Sequence, residues 1–112
     1  MGARPLPHPG IDSISVAGIM YALADPVRLA IVNELLNAEC GMNCVETTNK
    51  LKLAMAKSTC SQHYRILREA GLIVSERKGV ELSSRLRARE LESRFPDLLK
   101  TILKAYKKDT AK

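Results

Sequence analysis

The sequence predicts a mainly α-helical fold with one small β-hairpin, in the order α-α-α-α-β-β-α, and three observations support this prediction. Apolar residues recur every three to four positions along most of the chain, most clearly over residues 57–70. Gly71 ends that helical period, and an alternation typical of strands follows over residues 72–86. The helical period then returns and continues to about residue 106. The 112 residues provide for one domain with a single modest core.

The N-terminal region is expected to contain a flexible arm followed by one helix. Residues 1–12 hold three prolines and two glycines, which favour an irregular arm in which His8 is solvated. A first helix is expected from Ser13 or Ile14 to about Leu23, because apolar residues recur there at helical spacing.

A second helix is expected to begin at Asp25-Pro26. Asp25 is a favourable N-cap, and Pro26 suits the first helical position because its missing N–H needs no partner there. The helix is expected to run to about Leu36 or Asn37 and to be central, because it is apolar on most sides. Arg28 is its main basic residue, and we expect it to form a surface ion pair.

A short third helix is expected from Cys44 to about Leu51. Asn43 and Glu46 have the spacing of a capping box, in which each side chain bonds to the backbone N–H of the other residue. Cys44, Thr48 and Leu51 are expected to face the core.

The longer helix over residues 57–70 has two distinct faces, and a turn at residues 53–56 joins it to the third helix. Cys60, Tyr64 and Leu67 form an apolar stripe. The opposite face and its flank carry small hydroxyls, an amide and guanidinium groups, which suit base edges and phosphates in a DNA major groove. These polar residues are Ser58, Ser61, Gln62, Arg65 and Arg68. A solvated face that happens to lack acids is the alternative interpretation.

A hairpin is expected over about residues 73–87, with its turn at Lys78-Gly79. The residues expected to face inward are Val80, Leu82 and Leu86, and those expected to face outward are Glu81, Ser83 and Arg85 or Arg87. A helix-turn-helix followed by such a hairpin is a winged helix. In that fold Arg77 and Lys78 can reach a phosphate backbone or a minor groove. An ordinary solvated hairpin tip is the alternative.

The last part of the chain is helical from about residue 87, and Pro96 is expected to kink or restart the helix. The folded domain is placed at residues 13–106, with a charged tail at residues 107–112. Because the first and last helices both lie outside the helix-turn-helix and hairpin, we expect them to form a homodimer. Such a dimer sets two recognition helices about one DNA turn apart, which favours a palindromic operator.

Composition favours a nucleic-acid partner. The net charge is +6 and the isoelectric point is near 9.5. One Phe, three Tyr and no Trp are too few rings for a single-strand stacking platform. We expect a cytoplasmic protein without membrane contact, because no signal peptide or apolar span is visible and three cysteines fit a reducing compartment. The chain contains no Ser/His/Asp set, phosphate loop or catalytic carboxylate pair, so we expect neither an enzyme nor a cofactor.

Three separated segments resemble the bacterial ArsR-type winged-helix repressors. They are ALADPVRLAIVNELL, KSTCSQHYRILREAGLI and RELESRFPDLLKTIL, and the arm PLPHP adds to the likeness. The resemblance covers about residues 12–106. It implies a dimer built from the first and last helices, binding to operator DNA, and repression relieved by a metal ion or another inducer.

By position in the resembling motif, the recognition set comprises seven residues. These are Lys57, Ser58, Thr59, Ser61, Gln62, His63 and Arg65. Gln62 departs from the family, which often has Ser-His-His at residues 61–63, and it could change base preference. His63 lies beside the apolar stripe, where a phosphate contact or a buried hydrogen bond suits it better than base readout.

The cysteines have two interpretations. The metal-binding Cys and His sets of the resembling family are absent from this sequence, and the nearest approach is Cys40-x-x-x-Cys44. In the first interpretation Cys40, Cys44 and Cys60 are structural. In the second, Cys40 and Cys44 sense oxidants or soft metals, since a helix N-terminus favours a thiolate.

The functional hypothesis is a dimeric repressor that binds double-stranded DNA. The alternative from another class is a winged-helix protein-interaction module whose basic face is incidental. A steep salt dependence of DNA binding distinguishes the two, because phosphate contacts release counterions.

Overall fold

The computed structural model describes residues 4–5, 7–38, 41–51 and 55–111, and over these residues it confirms the predicted fold class. The helices are α1 Val16–Leu23, α2 Pro26–Leu36, α3 Cys44–Leu51, α4 Lys57–Glu69, α5 Ala88–Arg94 and α6 Leu98–Thr110. The strands are β1 Arg4–Pro5, β2 Ile73–Lys78 and β3 Glu81–Leu86. They form an antiparallel sheet in the order β1-β2-β3. The core contains buried side chains from all six helices and from the start of β2. Ile31, Leu67 and Ile73 are fully buried in it.

Helices α1 and α2 begin at side-chain caps. Ser15 Oγ accepts a hydrogen bond from the Gly18 N–H at 3.0 Å, so α1 starts at Val16, later than the predicted Ser13 or Ile14. Asp25 Oδ1 accepts from two backbone N–H groups at 2.8 and 3.1 Å, which confirms the predicted start of α2. Both caps satisfy N–H groups that have no partner inside their helix.

The capping box of α3 is confirmed in both directions. The Glu46 N–H donates to Asn43 Oδ1 at 2.9 Å, and the Asn43 N–H donates to Glu46 Oε1 at 3.0 Å. The prediction that Thr48 faces the core is wrong, because Thr47 is the fully buried residue of this helix. Thr48 is half-buried and its hydroxyl donates to the Val45 carbonyl at 3.0 Å.

The hairpin turns one residue later than predicted. Ile73 pairs with Leu86 and Lys78 with Glu81, so the turn is Gly79-Val80. Gly79 has a φ of 66°, a conformation that glycine adopts without steric cost. The inward orientation predicted for Val80 is therefore wrong, since this residue is 95% exposed at the tip.

The N-terminal segment packs along the outer edge of β2. The Ser75 N–H donates to His8 Nε2 at 2.9 Å, so the prediction of a solvated His8 is wrong. This histidine is half-buried because the edge strand offers an N–H group that needs an acceptor. A short 3-10 helix, Ile11–Ser13, then leads to α1.

Arg87 lies between β3 and α5, and its predicted outward orientation is wrong. Its guanidinium is buried, donating to Glu90 Oε2 at 2.7 Å and to the Pro9 carbonyl at 3.0 Å. These bonds tie the N-terminal segment to the base of the hairpin. The hydrogen bond from Arg87 also lowers the pKa of the Glu90 carboxyl.

The predicted interruption at Pro96 is confirmed. Helix α5 ends at Arg94 and α6 restarts at Leu98, with Asp97 in a left-handed conformation at φ 64°. In the part of the chain that the structure describes, no single helix has the length and apolar character needed to cross a membrane. Helices α1 and α2 meet those criteria only as a pair, and they meet at a bend of 105°.

Candidate nucleic-acid interface

Helix α4 separates apolar and polar side chains onto opposite faces, as predicted. Cys60, Tyr64 and Leu67 are buried, each no more than 2% exposed. Six of the polar residues proposed for DNA contact are exposed, namely Lys57, Ser58, Thr59, Ser61, Gln62 and Arg65. His63 and Arg68 are half-buried on the flanks. The exposed set is rich in hydrogen-bond donors, and Glu69 is the first acid that follows it along the helix.

The buried face of α4 is held to α3 by polar contacts. The Tyr64 hydroxyl hydrogen-bonds to the Thr47 hydroxyl, which also donates to the Asn43 carbonyl at 2.9 Å. Cys60 Sγ lies 3.9 Å from the Cys44 carbonyl oxygen. Burial raises the pKa of Tyr64 above its ordinary value, so this hydroxyl stays protonated and able to donate. The two helices of the helix-turn-helix are therefore fixed at a defined angle by a buried hydrogen bond as well as by apolar packing.

Arg28 of α2 lies in an environment different from the one predicted. It was expected to form a surface ion pair, but it is only 9% exposed. Its Nε–H donates to the Ala22 carbonyl at 2.7 Å, and its contact with the Asp25 carboxylate is a long 3.9 Å. The aliphatic part of a long side chain can cover apolar surface while its charged end is bonded, which accounts for burial in the α1–α2 corner.

Arg28 also reaches the recognition helix. Its Nη1–H lies 3.3 Å from His63 Nδ1, which must accept because arginine has no acceptor. Nε2 is then the protonated nitrogen of the neutral ring. The expectation that His63 makes a hydrogen bond beside the apolar stripe is consistent with this geometry. The two residues line a hollow of about 320 Å³ together with Ser58, Thr59 and Gln62.

The hairpin presents its basic residues at the tip. Arg77 and Lys78 are both exposed, directly before the Gly79-Val80 turn. Farther from the tip, Ser75 and Ser84 are buried cross-strand partners whose hydroxyls hydrogen-bond at 2.8 Å. The base of the hairpin is thus packed and bonded, whereas its tip extends into solvent.

The two described cysteines are free thiols in different surroundings. Cys60 is fully buried, and burial raises the pKa of its thiol to about 12. A thiol of that kind is a poor nucleophile and metal ligand, which supports the structural interpretation of Cys60. Cys44 is half-buried at the start of α3, with its Sγ 3.8 Å from Ser61 Oγ. Cys40 lies outside the described residues.

The described residues contain no cluster of side chains suited to bind a metal ion. Within residues 4–5, 7–38, 41–51 and 55–111, no group of three or more His, Cys, Asp or Glu side chains is arranged to hold a metal ion. Because Cys40 lies outside these residues, sensing by Cys40 and Cys44 stays a prediction.

Two apolar surfaces lie away from α4. Helix α1 exposes Val16, Met20 and Tyr21, the last two at 59% and 68%. A second surface, which we call the α6 groove, has a volume of about 350 Å³. Its apolar wall is formed by Leu36, Leu99 and Leu103, and its rim carries Lys100, Lys104 and Lys107. The first surface lies on α1 and the second mainly on α6, and these are the first and last helices, for which dimerisation is predicted.

Sequence reasoning assigned the wrong environment to Arg28 and His8, and it did not single out Thr47. No local sequence pattern marks the bonding partner of any of the three, because each is bonded to a residue far away in the chain. A weak signal existed for Arg28, because it is a single charge in a helix that is apolar on most sides.

Comparisons with known proteins give one consistent answer. A family model described as a helix-turn-helix domain matches residues 23–76. The HTH-type transcriptional regulator YceK of Bacillus subtilis is 33% identical over 86 residues, which cover 77% of this chain and 84% of that protein. The HTH-type transcriptional repressor SmtB of Mycobacterium tuberculosis is 37% identical over 83 residues, which cover 73% of this chain but 58% of that longer protein.

Two solved structures share the fold. The transcriptional repressor BigR from Xylella fastidiosa superposes with a TM-score of 0.63 at 23% identity, covering 87% of both chains. An ArsR-like transcriptional regulator from Rhodococcus sp. RHA1 gives a TM-score of 0.54 at 23% identity, covering 84% of this chain and 91% of the other.

Proposed function

Because this chain belongs to the helix-turn-helix transcriptional regulators and shares its fold with an ArsR-like regulator, we propose that it is a homodimeric ArsR-type repressor that binds a palindromic operator in duplex DNA. The observation that carries the proposal is the outer face of α4. Six polar, acid-free positions are exposed on a helix whose other face is buried and bonded to α3. A rigid helix that presents donors and acceptors in this way fits the major groove.

Within α4, we assign base contacts to the residues farthest from the buried stripe. Gln62 can pair with adenine, Arg65 with guanine, and Ser58 with either base. Lys57, Thr59, Ser61 and Arg68 suit phosphates at the edges of the groove. His63, bonded through Nδ1 to Arg28, has its Nε2–H left for a phosphate oxygen. Arg77 and Lys78 at the hairpin tip contact the backbone of the adjacent groove.

Dimerisation through α1 and α6 completes the proposal. The exposed Met20 and Tyr21 give α1 an apolar surface that a second copy can cover. A two-fold dimer brings two α4 helices to successive major grooves on one side of the DNA, which is why the operator is expected to be palindromic. Such a role implies action in the cytoplasm, where the chromosome is accessible.

Relief of repression by an inducer belongs to the proposal. Sensing of oxidants or soft metals by Cys40 and Cys44 stays a prediction, and the buried Cys60 thiol is assigned to the core.

The test is a DNA-binding titration of the full chain on the promoter beside its own gene and on a random duplex. It is repeated over a range of salt concentrations and under reducing conditions, with peroxide and with soft metal ions. We expect tighter binding to the promoter, with an affinity that falls steeply as salt rises. Loss of binding with peroxide or metal, reversed by reductant or chelator, would support the thiol sensor. Absence of duplex binding under every condition would contradict the repressor and favour the protein-interaction module.

A further inference from the structure

A cleft of about 420 Å³ separates the N-terminal ends of α3 and α4 from the β2–β3 hairpin. Its volume falls in the range of small-molecule sites. Val45 of α3 forms one wall, and Val80 and Leu82 of the hairpin form the other. Val45 and Val80 are strongly exposed, at 59% and 95%. Large apolar side chains facing one another across an open cleft favour an apolar occupant.

The charges around the cleft favour an anion. Lys57 of α4 and Arg77 of β2 both line it, and both are exposed. Among the described residues that line the cleft, Glu81 is the one acid, and its cross-strand partner is the exposed Lys78. The local balance is therefore positive, with cations supplied by two different elements.

The floor of the cleft is formed by its buried lining residues, Tyr64 and Ser84, whose hydroxyls already have hydrogen-bond partners. The Tyr64 hydroxyl is bonded to Thr47, and the Ser84 hydroxyl is bonded to Ser75 at 2.8 Å. Because these buried groups already have partners, the floor offers mainly apolar contact. A ligand that fits this arrangement places an apolar body inside and its acidic group at the rim.

We propose that this cleft binds a small organic anion, a compact apolar or aromatic body with one acidic group, and that occupancy excludes DNA. The exclusion rests on the proposed function, because Lys57 and Arg77 are the same cations that it assigns to DNA phosphates. A bound molecule neutralises these charges and fills the space between α4 and the hairpin. The cleft is thereby a site through which an inducer can act directly on the DNA-binding surface.

The first test uses the aromatic sulfonate 1-anilinonaphthalene-8-sulfonate as the probe, titrated into the full chain without DNA and followed by its fluorescence. Saturable binding is expected, and Lys57→Gln should weaken it by about two- to fivefold, the range for an exposed ion pair. The matched control is Lys104→Gln, which removes a lysine from the rim of the α6 groove and should leave probe affinity unchanged. A loss confined to Lys104→Gln, or no loss in either variant, would overturn the proposal.

Two further arms keep the result interpretable. Val45→Glu adds a carboxylate to the wall at an exposed position, where folding should tolerate it, and it should weaken the sulfonate at least as much as Lys57→Gln. N-phenyl-1-naphthylamine has similar rings but no sulfonate, and it should bind more weakly than the anionic probe. Equal affinity of the two probes would refute the anion preference.

Competition with duplex DNA tests the exclusion. Adding a duplex that the protein binds should displace the sulfonate, and a probe that stays bound in the presence of saturating DNA would overturn this part of the proposal. If the protein binds no duplex at all, the proposed function fails, while the Lys57-dependent probe affinity still decides whether the cleft is a site.

Discussion

Helix α4 and the tip of the β2–β3 hairpin line the same cleft, but they are held in different ways. Helix α4 is fixed from two sides, by Thr47 of α3 through Tyr64 and by Arg28 of α2 through His63. Arg77 and Lys78 at the hairpin tip are exposed, and neither forms an ion pair with another described residue. Base readout needs side chains at fixed positions, whereas contact with a phosphate tolerates a mobile cation. The difference in support matches the difference in assigned role.

Removal of the support that α2 gives to α4 is expected to have the largest effect. Arg28→Met should lower the free energy of unfolding by about 1.5–3 kcal/mol, because the buried Ala22 carbonyl and His63 ring lose a charged donor. Urea unfolding followed by circular dichroism measures the change. Arg85→Met is the matched control, since Arg85 is exposed on the hairpin with one long ion-pair contact of 3.9 Å to Glu76. Similar small losses of unfolding free energy in both variants would contradict a supporting role for Arg28.

The base-reading role of α4 is tested by Arg65→Ala. Loss of a bidentate contact with guanine should cost about 1–3 kcal/mol of binding free energy on the specific operator and relax preference at one position. Fluorescence anisotropy on the operator and on a random duplex separates this effect from general weakening. Equal loss on both duplexes would assign Arg65 to the phosphate backbone instead.

The support from α3 is tested by Tyr64→Phe. Loss of the hydroxyl that bonds to Thr47 should lower the free energy of unfolding by about 0.5–1.5 kcal/mol. Tyr21→Phe is a matched control, because Tyr21 is 68% exposed on α1 and its hydroxyl is not part of the core. Thermal and urea unfolding should rank the two variants clearly, and an equal ranking would contradict a supporting role for the Thr47–Tyr64 bond.

The hairpin tip is tested by Lys78→Ala. Because an exposed lysine contacts phosphate without reading bases, affinity should fall by a similar factor on all duplexes and the salt slope should decrease by about 1. Binding isotherms at several salt concentrations give the slope. A change in the ratio of specific to random affinity would instead place Lys78 near a base edge.

The contribution of the Arg87–Glu90 contact at the base of the hairpin can be measured by acid titration. The hydrogen bond from Arg87 lowers the pKa of Glu90 from its ordinary value of 4.5. A carboxyl whose pKa is lower in the folded state contributes stability above its unfolded pKa, and this contribution is lost as pH falls through the folded value. Unfolding free energies from pH 7 downward should therefore decline less in Glu90→Gln than in the unmodified chain, by a small amount because Glu90 is about half exposed. An equal decline in the two proteins would contradict a stabilising role for the Arg87–Glu90 contact.

The features that sequence predicted well depend on neighbours in the chain. The Asp25 cap, the Asn43–Glu46 capping box and the restart at Pro96 are decided within a few residues, and all three are confirmed. The apolar stripe of α4 is equally local, because its 3.6-residue period fixes which side chains share a face.

The features that sequence did not predict depend on distant partners. Thr47 and Thr48 are adjacent and chemically identical, but Thr47 is the one that is buried and bonded to the Tyr64 hydroxyl, 17 positions away. Arg28 meets a histidine 35 positions away, and His8 meets a strand 67 positions away. Local propensity carries no information about such pairings.

Each outer edge of the β2–β3 hairpin is partly paired. Strand β1 pairs with Glu76 and Arg77 on the free side of β2, and Met42 bridges to Ser84 on the free side of β3. An unpaired strand edge is a template on which another polypeptide can add a strand, a common route to aggregation. The pairing of Glu76, Arg77 and Ser84 blocks that route at these positions of the hairpin. In the proposed dimer, two copies would meet through side-chain surfaces such as the apolar face of α1. Contact of that kind permits a defined stoichiometry, whereas strand addition permits open-ended growth.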